Sequence, residues 1–249
     1  TGGIRGIHGP DEPTARIGQQ LVALDPYRSR ASGPSSKMVV DSFEADYGGP
    51  ALAQATSTGK IVDLDGNRIA SFRQRFRLWS GRPIGELDVS ITDIDADFVS
   101  RLTYADPWSG GIACRWAWPD KDAMIRRLEF GHPWESVVER IETPEAIDVS
   151  TRRQRTALLF GGLAHHRRHS SRMLDTMLVT GREVEREFKL AVALDLEHPF
   201  QAASEWISPA VVVASDAGPP RAGATGWLFS LDAKSVATGA VRFEERSGD

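Results

Sequence analysis

The sequence predicts a mainly β, antiparallel chain, a sandwich or barrel, with at most one or two short helices. Three observations carry this. Apolar and polar residues alternate at period two in several separate stretches, turn-forming residues punctuate those stretches, and no strand–helix–strand alternation is visible. At 249 residues the chain is long enough for one large all-β domain or two small ones, and residues 1–249 are expected to form one β-sandwich module.

From the N-terminus, Gly2-Gly3 predicts a turn. Residues 27–50 are rich in Ser, Gly and Pro and predict a long loop or surface excursion. Lys60-Ile61-Val62-Asp63-Leu64 then leads into Asp65-Gly66-Asn67, a hairpin signal because Gly and Asn tolerate the positive φ of tight turns. In Phe72-Arg73-Gln74-Arg75-Phe76-Arg77-Leu78, successive side chains of a strand point to opposite faces. Phe72, Phe76 and Leu78 therefore share the buried face, while Arg73, Arg75 and Arg77 form a basic outer row. Trp79-Ser80-Gly81-Arg82-Pro83 supplies the next turn, and Leu87-Asp88-Val89-Ser90-Ile91-Thr92 alternates again, so three consecutive strands make a meander.

Residues 133–142 read as a helix: Pro133 suits a first turn, and Trp134, Val137, Val138 and Ile141 follow a helical stripe. Shorter apolar runs at 156–160, 173–179, 210–214 and 227–231 predict further strands. The run 188–196 sets Phe188, Leu190, Val192, Leu194 and Leu196 on one face. Residues 226–249 are expected to hold the last strands. No repeat of 20–50 residues is present.

Composition excludes several classes. A formal charge of −4 does not supply the basic surface that displaces counterions from nucleic-acid phosphate. Of 30 basic residues only five are Lys; a G- and C-rich genome and a preference for the Arg fork toward carboxylates and hydroxyls both produce that bias. The single Cys114 forms no internal disulfide, leaves no Cys pair for zinc, and reads as a buried, inert thiol. No apolar run approaches the ~18 residues of a membrane span, and no signal-peptide pattern is present. An opening on Thr1 rather than Met predicts a piece of a longer protein.

Gly161-Gly162-Leu163-Ala164-His165-His166-Arg167-Arg168, followed by Arg172-Met173-Leu174-Asp175, resembles the "dG-x-lE-x-m-x-HRR…dD-x-RG" segment of family 38 glycoside hydrolases, the α-mannosidase-like enzymes. Thr1-Gly2-Gly3-Ile4-Arg5-Gly6-Ile7 resembles the "x-tGgi-x-sl" opening of the same region. Gly226-Trp227-Leu228-Phe229-Ser230-Leu231-Asp232-Ala233-Lys234-Ser235-Val236 is similar to its late strand, after which the family chain continues. The departures are Leu163-Ala164 where the family carries "lE" and Ser170-Ser171 where it carries the paired Asp. They indicate a divergent bacterial branch. The resemblance implies the large sandwich of the galactose-mutarotase type, behind a catalytic barrel that itself holds the metal ion and the nucleophilic carboxylate. The implied partner is that N-terminal catalytic domain. No cofactor and no catalytic residue are implied for this chain.

Candidate carbohydrate-binding residues fall in two groups. On a strand, His165 and Arg167 share one face and His166 and Arg168 the other, so one pair can project from the sheet and donate to sugar hydroxyls or a carboxylate, with Arg172 and Asp175 close in sequence. The alternative is a structural pair locked by acids such as Asp175 or Glu197. Adjacent His residues point apart on a strand, which disfavours a metal site. The second group is aromatic: Tyr104, Trp108, Trp116, Trp118 and Trp134, with Asp106, Arg115 and Asp120 among them. Trp faces stack on sugar C–H faces, and Trp rings also fill cores. Trp108, in the loop Asp106-Pro107-Trp108-Ser109-Gly110-Gly111, is the ring expected at the surface. Acid pairs such as Asp93 with Asp95 and Glu185 with Glu187 have the spacing of many incidental pairs; Glu183, Glu185 and Glu187 read as a solvated row.

The leading functional expectation is a non-catalytic sandwich that buttresses the barrel of an α-mannosidase-like hydrolase and borders its sugar cleft. Two alternatives stand beside it. One is a free mutarotase-type enzyme pairing His165 or His166 with Glu205 as acid and base. The other is a carbohydrate-binding module using Trp108, Trp116 and Trp118 as a stacking platform.

Overall fold

A computed structural model describes residues 2–26, 36–103, 105–129, 132–181 and 186–207. Through them the chain runs β1 (Ile4–Ile7), β2 (Ile17–Leu24), β3 (Ser36–Gly48), β4 (Leu52–Asp63), β5 (Arg68–Trp79), β6 (Ile84–Thr92) and α1 (Ala96–Ser100). It continues as β7 (Gly111–Ala117), β8 (Met124–Glu129), β9 (His132–Glu135), β10 (Arg140–Glu142), β11 (Ala146–Ser150) and β12 (Arg155–Leu159). The last described elements are β13 (His165–Ser170), β14 (Met173–Val179), β15 (Glu187–Leu194) and α2 (Pro199–Ile207).

Two sheets result, one of six strands in the order β1-β2-β7-β14-β13-β10 and one of nine in the order β3-β4-β5-β6-β15-β12-β11-β8-β9. Each strand pairing is antiparallel, as hairpin-connected strands require. The hairpin signal at Asp65-Gly66-Asn67 turns β4 into β5: Gly66 adopts φ +91°, and the Asp63 carboxylate accepts from the Asn67 backbone and side-chain amides at 2.8 and 3.0 Å. Gly81 at φ +78° does the same between β5 and β6, completing the meander.

The main core lies between the sheets. Ile17 and Leu21 of β2, Ile112 and Trp116 of β7 and Leu174 of β14 pack against Phe72 of β5, Leu87 and Val89 of β6 and Leu190 of β15. They come from alternate positions, so the period-two pattern is the pattern of burial; each such side chain contributes roughly 1.5–3 kcal/mol by leaving water. Outside the nine-stranded sheet, α2 lays Ala203 and Trp206 over Ala157, Leu159, Ala191 and Ala193. Among the described residues no helix is long and apolar enough to cross a membrane.

Three local expectations are corrected. Residues 133–142 are not helical. Their first part is β9, at the edge of the nine-stranded sheet against β8, and their last part is β10, at the edge of the six-stranded sheet against β13. The chain changes sheets between them, and Trp134, Val137 and Val138 stay exposed rather than forming a buried stripe. Residues 36–48, inside the expected loop 27–50, form the long strand β3, because Met38 and Val40 pair inward across Ile61 and Gly59 of β4. Leu78, expected to be buried with Phe72 and Phe76, is 58% exposed, since the nine-stranded sheet extends past the six-stranded one there. The helices that do form start on local caps: the Asp95 carboxylate accepts from Phe98 N at 2.8 Å, and Pro199 begins α2. The strands expected at 210–214 and 227–231, the late segment 226–249, Thr1, Tyr104, Glu183 and Glu185 lie outside the described residues.

Candidate functional site

Strand β13 carries the His/Arg cluster, and its pleat separates the cluster. His166 faces the core and is fully buried, its ring tilted on Phe160 at 3.9 Å between centroids. Nε2 lies 2.9 Å from the Thr143 carbonyl and Nδ1 3.2 Å from the Thr176 hydroxyl. Burial, the largest cause, pushes its pKa down to about 4, with the neighbouring His165 charge acting the same way. Its ring is thus a neutral core group, occupied at both nitrogens.

His165, Arg167 and His169 alternate onto the outer face of the six-stranded sheet. There the loop before β7 brings Trp108. Its indole donates to the His166 carbonyl at 2.9 Å, pinning the ring along β13. His165 meets the Trp108 ring edge-on at 5.0 Å, and Arg140 sits over the same ring at 5.5 Å while bonded to Asp106 at 3.0 Å. Arg167 donates to Glu139 at 3.0 Å and to the Trp108 carbonyl at 3.4 Å.

Beside this cluster the register lines up Arg140, Arg167, Asp175, Arg115 and Gln20 on β10, β13, β14, β7 and β2. Asp175 is fully buried and takes both arms of the Arg115 fork, Nε at 2.6 Å and Nη2 at 2.8 Å. His169 is held below the ordinary histidine range, first by burial and then by the Arg115 charge. A shallow depression of about 280 Å³, with Arg115, Gln20 and Met173 in its wall, opens next to the pair.

The expected residues are therefore brought together only in part. His165, Arg167 and Trp108 converge on one outer face, whereas His166 points into the core. Arg168 bonds the Ser136 carbonyl at 3.4 Å, and Arg172 is exposed in the turn between β13 and β14. Trp116 and Trp118 are core residues, at 0% and 5% exposure, so the three Trp rings make no common platform. Trp108 is half-buried, and Arg140 already occupies one of its faces. Sequence reasoning misses Glu139 and Arg140 because they lie in the stretch with a helical stripe; read as a strand edge, Arg140 stands opposite Arg167, and Glu139 meets Arg168 through its carbonyl and Arg167 through its carboxylate.

The chemistry on offer is hydrogen-bond donation around one aromatic ring. Cys114 is buried, and burial raises its thiol well above the ordinary range, so it is no nucleophile. Asp95 is spent on the α1 cap, and Asp93 stands in a positive-φ turn. Glu205, bonded by Gln201, sits on α2 outside the nine-stranded sheet, across the whole sandwich from His165. Among the described residues no three His, Cys, Asp or Glu side chains form a metal-holding group.

Fold and site together define a two-sheet antiparallel β-sandwich whose six-stranded sheet carries a polar, arginine-rich outer face. That architecture is similar to part of a solved protein of glycosyl hydrolase family 38 from Enterococcus faecalis, with a TM-score of 0.51 at 10% identity over 69% of this chain. An alpha-mannosidase from Enterococcus faecalis V583 aligns over the same share, at 10% identity and a TM-score of 0.48. The chain spans 25% of the first of these proteins and 24% of the second. No family model matches the sequence, and no curated protein does.

Proposed function

We propose that this chain is a supporting β-sandwich module of a larger, α-mannosidase-like glycoside hydrolase, bordering sugar but not cleaving it. The observation that carries the reading is the fold match to a quarter of a family 38 protein. The exposed apolar surface agrees with it. A cleft of about 750 Å³ opens where β1 faces the overhanging ends of β5, β6 and β15, walled by Ile4, Ile7, Phe76, Leu78, Ile84 and Leu194. Leu78 in that wall is 58% exposed, and Phe43 on β3 of the same sheet is 64% exposed. Such a surface suits burial against a neighbouring domain. The resemblance assigns the metal and the nucleophile to a barrel outside this chain.

The test is an assay of the 249-residue chain on 4-nitrophenyl α-mannoside, with and without added divalent metal. No turnover above buffer is expected; turnover would overturn the supporting role. In parallel, Trp fluorescence and polarimetry are followed with mannose, mannobiose, galactose and glucose. Saturable quenching that Trp108→Phe removes places sugar on the Trp108 face. Accelerated mutarotation favours an enzyme in its own right.

A further inference from the structure

On the outer face of the nine-stranded sheet, four cationic side chains, Arg73, Arg75, Arg77 and Lys189, stand against three carboxylates, Glu86, Asp88 and Glu187. Arg73, Arg75 and Arg77 of β5 project side by side, consecutive ones separated by two strand residues, about 6.6–6.8 Å. Across β6 they stand opposite Ser90, Asp88 and Glu86 respectively, and Lys189 of β15 stands beyond Asp88. A trough of about 370 Å³ lies over Arg73, Arg75, Arg77, Asp88 and Lys189, with Glu187 at its end.

The acids do not neutralise the row evenly. Asp88 Oδ2 lies 2.8 Å from Arg77 Nη2 but 3.9 Å from Arg75 Nη1, and Arg77 also takes Glu86 at 3.3 Å. Arg75 is left with one long contact. Arg73 and Lys189 have no carboxylate within ion-pair distance among the described residues. On the other flank Thr58 and Thr56 of β4 stand opposite Arg73 and Arg75, and Asp46 is held by Gln54 and Thr56. The excess of positive charge is thus local, in a chain whose formal charge is −4.

We infer that this trough binds a doubly charged tetrahedral oxyanion, a phosphate or sulfate group, on Arg73 and Arg75 with Lys189 as a third donor. The count of donors selects the ligand. A planar carboxylate fills one guanidinium fork, whereas a phosphate or sulfate has enough oxygens and charge to engage two forks and an ammonium together. The Ser90 hydroxyl, between Arg73 and Glu187 in the register, adds a neutral donor at the floor.

The ¹⁵N-labelled chain, titrated with inorganic phosphate, inorganic sulfate, glucose 6-phosphate and glucose to about 10 mM, tests this by NMR, because weak ion sites saturate in that range. Phosphate or sulfate is expected to give saturable shifts on β5, β6 and β15, and glucose none. Arg73→Ala and Arg75→Ala should each weaken binding about tenfold or more, the loss typical of a charge-assisted hydrogen bond, while Arg152→Ala, at an exposed position in another loop, leaves it unchanged. Arg73 is exposed and Arg75 half-buried, and circular dichroism verifies that the variants fold. Tighter binding of glucose 6-phosphate identifies a phosphorylated sugar; equal binding of inorganic phosphate identifies the free ion. Absence of saturable shifts with all three anions, or shifts that survive Arg73→Ala and Arg75→Ala together, overturns the inference.

Discussion

His166 Nδ1 lies 3.2 Å from the Thr176 hydroxyl, and the ring's other nitrogen decides which way that bond runs. Nε2 faces the Thr143 carbonyl, which can only accept, so Nε2 carries the proton and Nδ1 accepts from Thr176. The Thr176 oxygen in turn accepts from the Trp116 indole at 3.2 Å. One neutral imidazole thereby ties β7, β14 and the strand it belongs to, with every polar atom of the chain of bonds satisfied inside the core.

Stability should therefore fall in mild acid. The folded pKa of His166, about 4, lies below its ordinary value of 6.5. Between those values the unfolded chain takes up a proton that the folded chain refuses, so stability present above pH 6.5 is lost as pH falls toward 4. A shift of this size corresponds to about 3 kcal/mol at 1.36 kcal/mol per unit. Urea midpoints measured from pH 7 to pH 4 give the slope. His166→Gln should flatten it, leaving the contribution of His169, whose shift has the same sign.

The Arg115–Asp175 pair makes a different prediction. With Asp175 fully buried, Asp175→Ala strands a guanidinium and Arg115→Met strands a carboxylate, each costing about 3–5 kcal/mol. Replacing both, as Arg115→Met with Asp175→Leu, should recover most of the loss, because no unpaired charge then remains. A double-mutant cycle by urea unfolding measures the coupling; additive losses would show that the two side chains do not depend on each other.

Arg16 closes one end of the sandwich. It donates to Glu12 through Nε at 2.6 Å and Nη2 at 2.5 Å, bonds the Arg155 carbonyl at 3.3 Å and pairs with Asp195 at 2.5 Å. Glu12 first, then Asp195, raises its pKa above the ordinary arginine value, and it lowers theirs in return. Arg16→Ala should lower the Tm by several degrees and speed amide exchange between β1 and β2. Arg16→Lys should rescue only part, since an ammonium cannot reproduce the two-armed bond to Glu12.

Gly59 is required by contact rather than by φ. A Cβ there would lie 2.1 Å from the Val39 carbonyl and 2.9 Å from the Phe72 ring, so β3 and β4 have to part. Gly59→Ala is expected to cost roughly 3 kcal/mol, the upper end for overpacking. Gly48→Ala, where a Cβ meets nothing within 4 Å, serves as the neutral comparison in thermal melts.

The meander from β4 to β6 was legible because its information is local: Asp65-Gly66-Asn67 supplies the turn, and Phe72, Leu87, Val89 and Ile91 mark the inner face. The stretch 133–142 misleads because helical spacing of Trp134, Val137, Val138 and Ile141 also arises when two short strands join different sheets. Only Ile141 is buried. The same spacing hides Glu139 and Arg140 of the outer cluster.

Alternation by itself determined that His165 and Arg167 part company with His166 and Arg168, that Arg73, Arg75 and Arg77 share a face, and that the chain is mainly β; the two-sheet sandwich rather than a barrel came from the structure. Only the tertiary structure decided that His166 is the buried member, that Trp116 and Trp118 are core, and that Asp175 belongs to Arg115 rather than to the His/Arg run. The reason is physical. A strand's pleat assigns side chains to two faces from neighbouring residues alone, but which face is covered, and by what, depends on strands 60 positions away, as Arg115 and Asp175 are from each other.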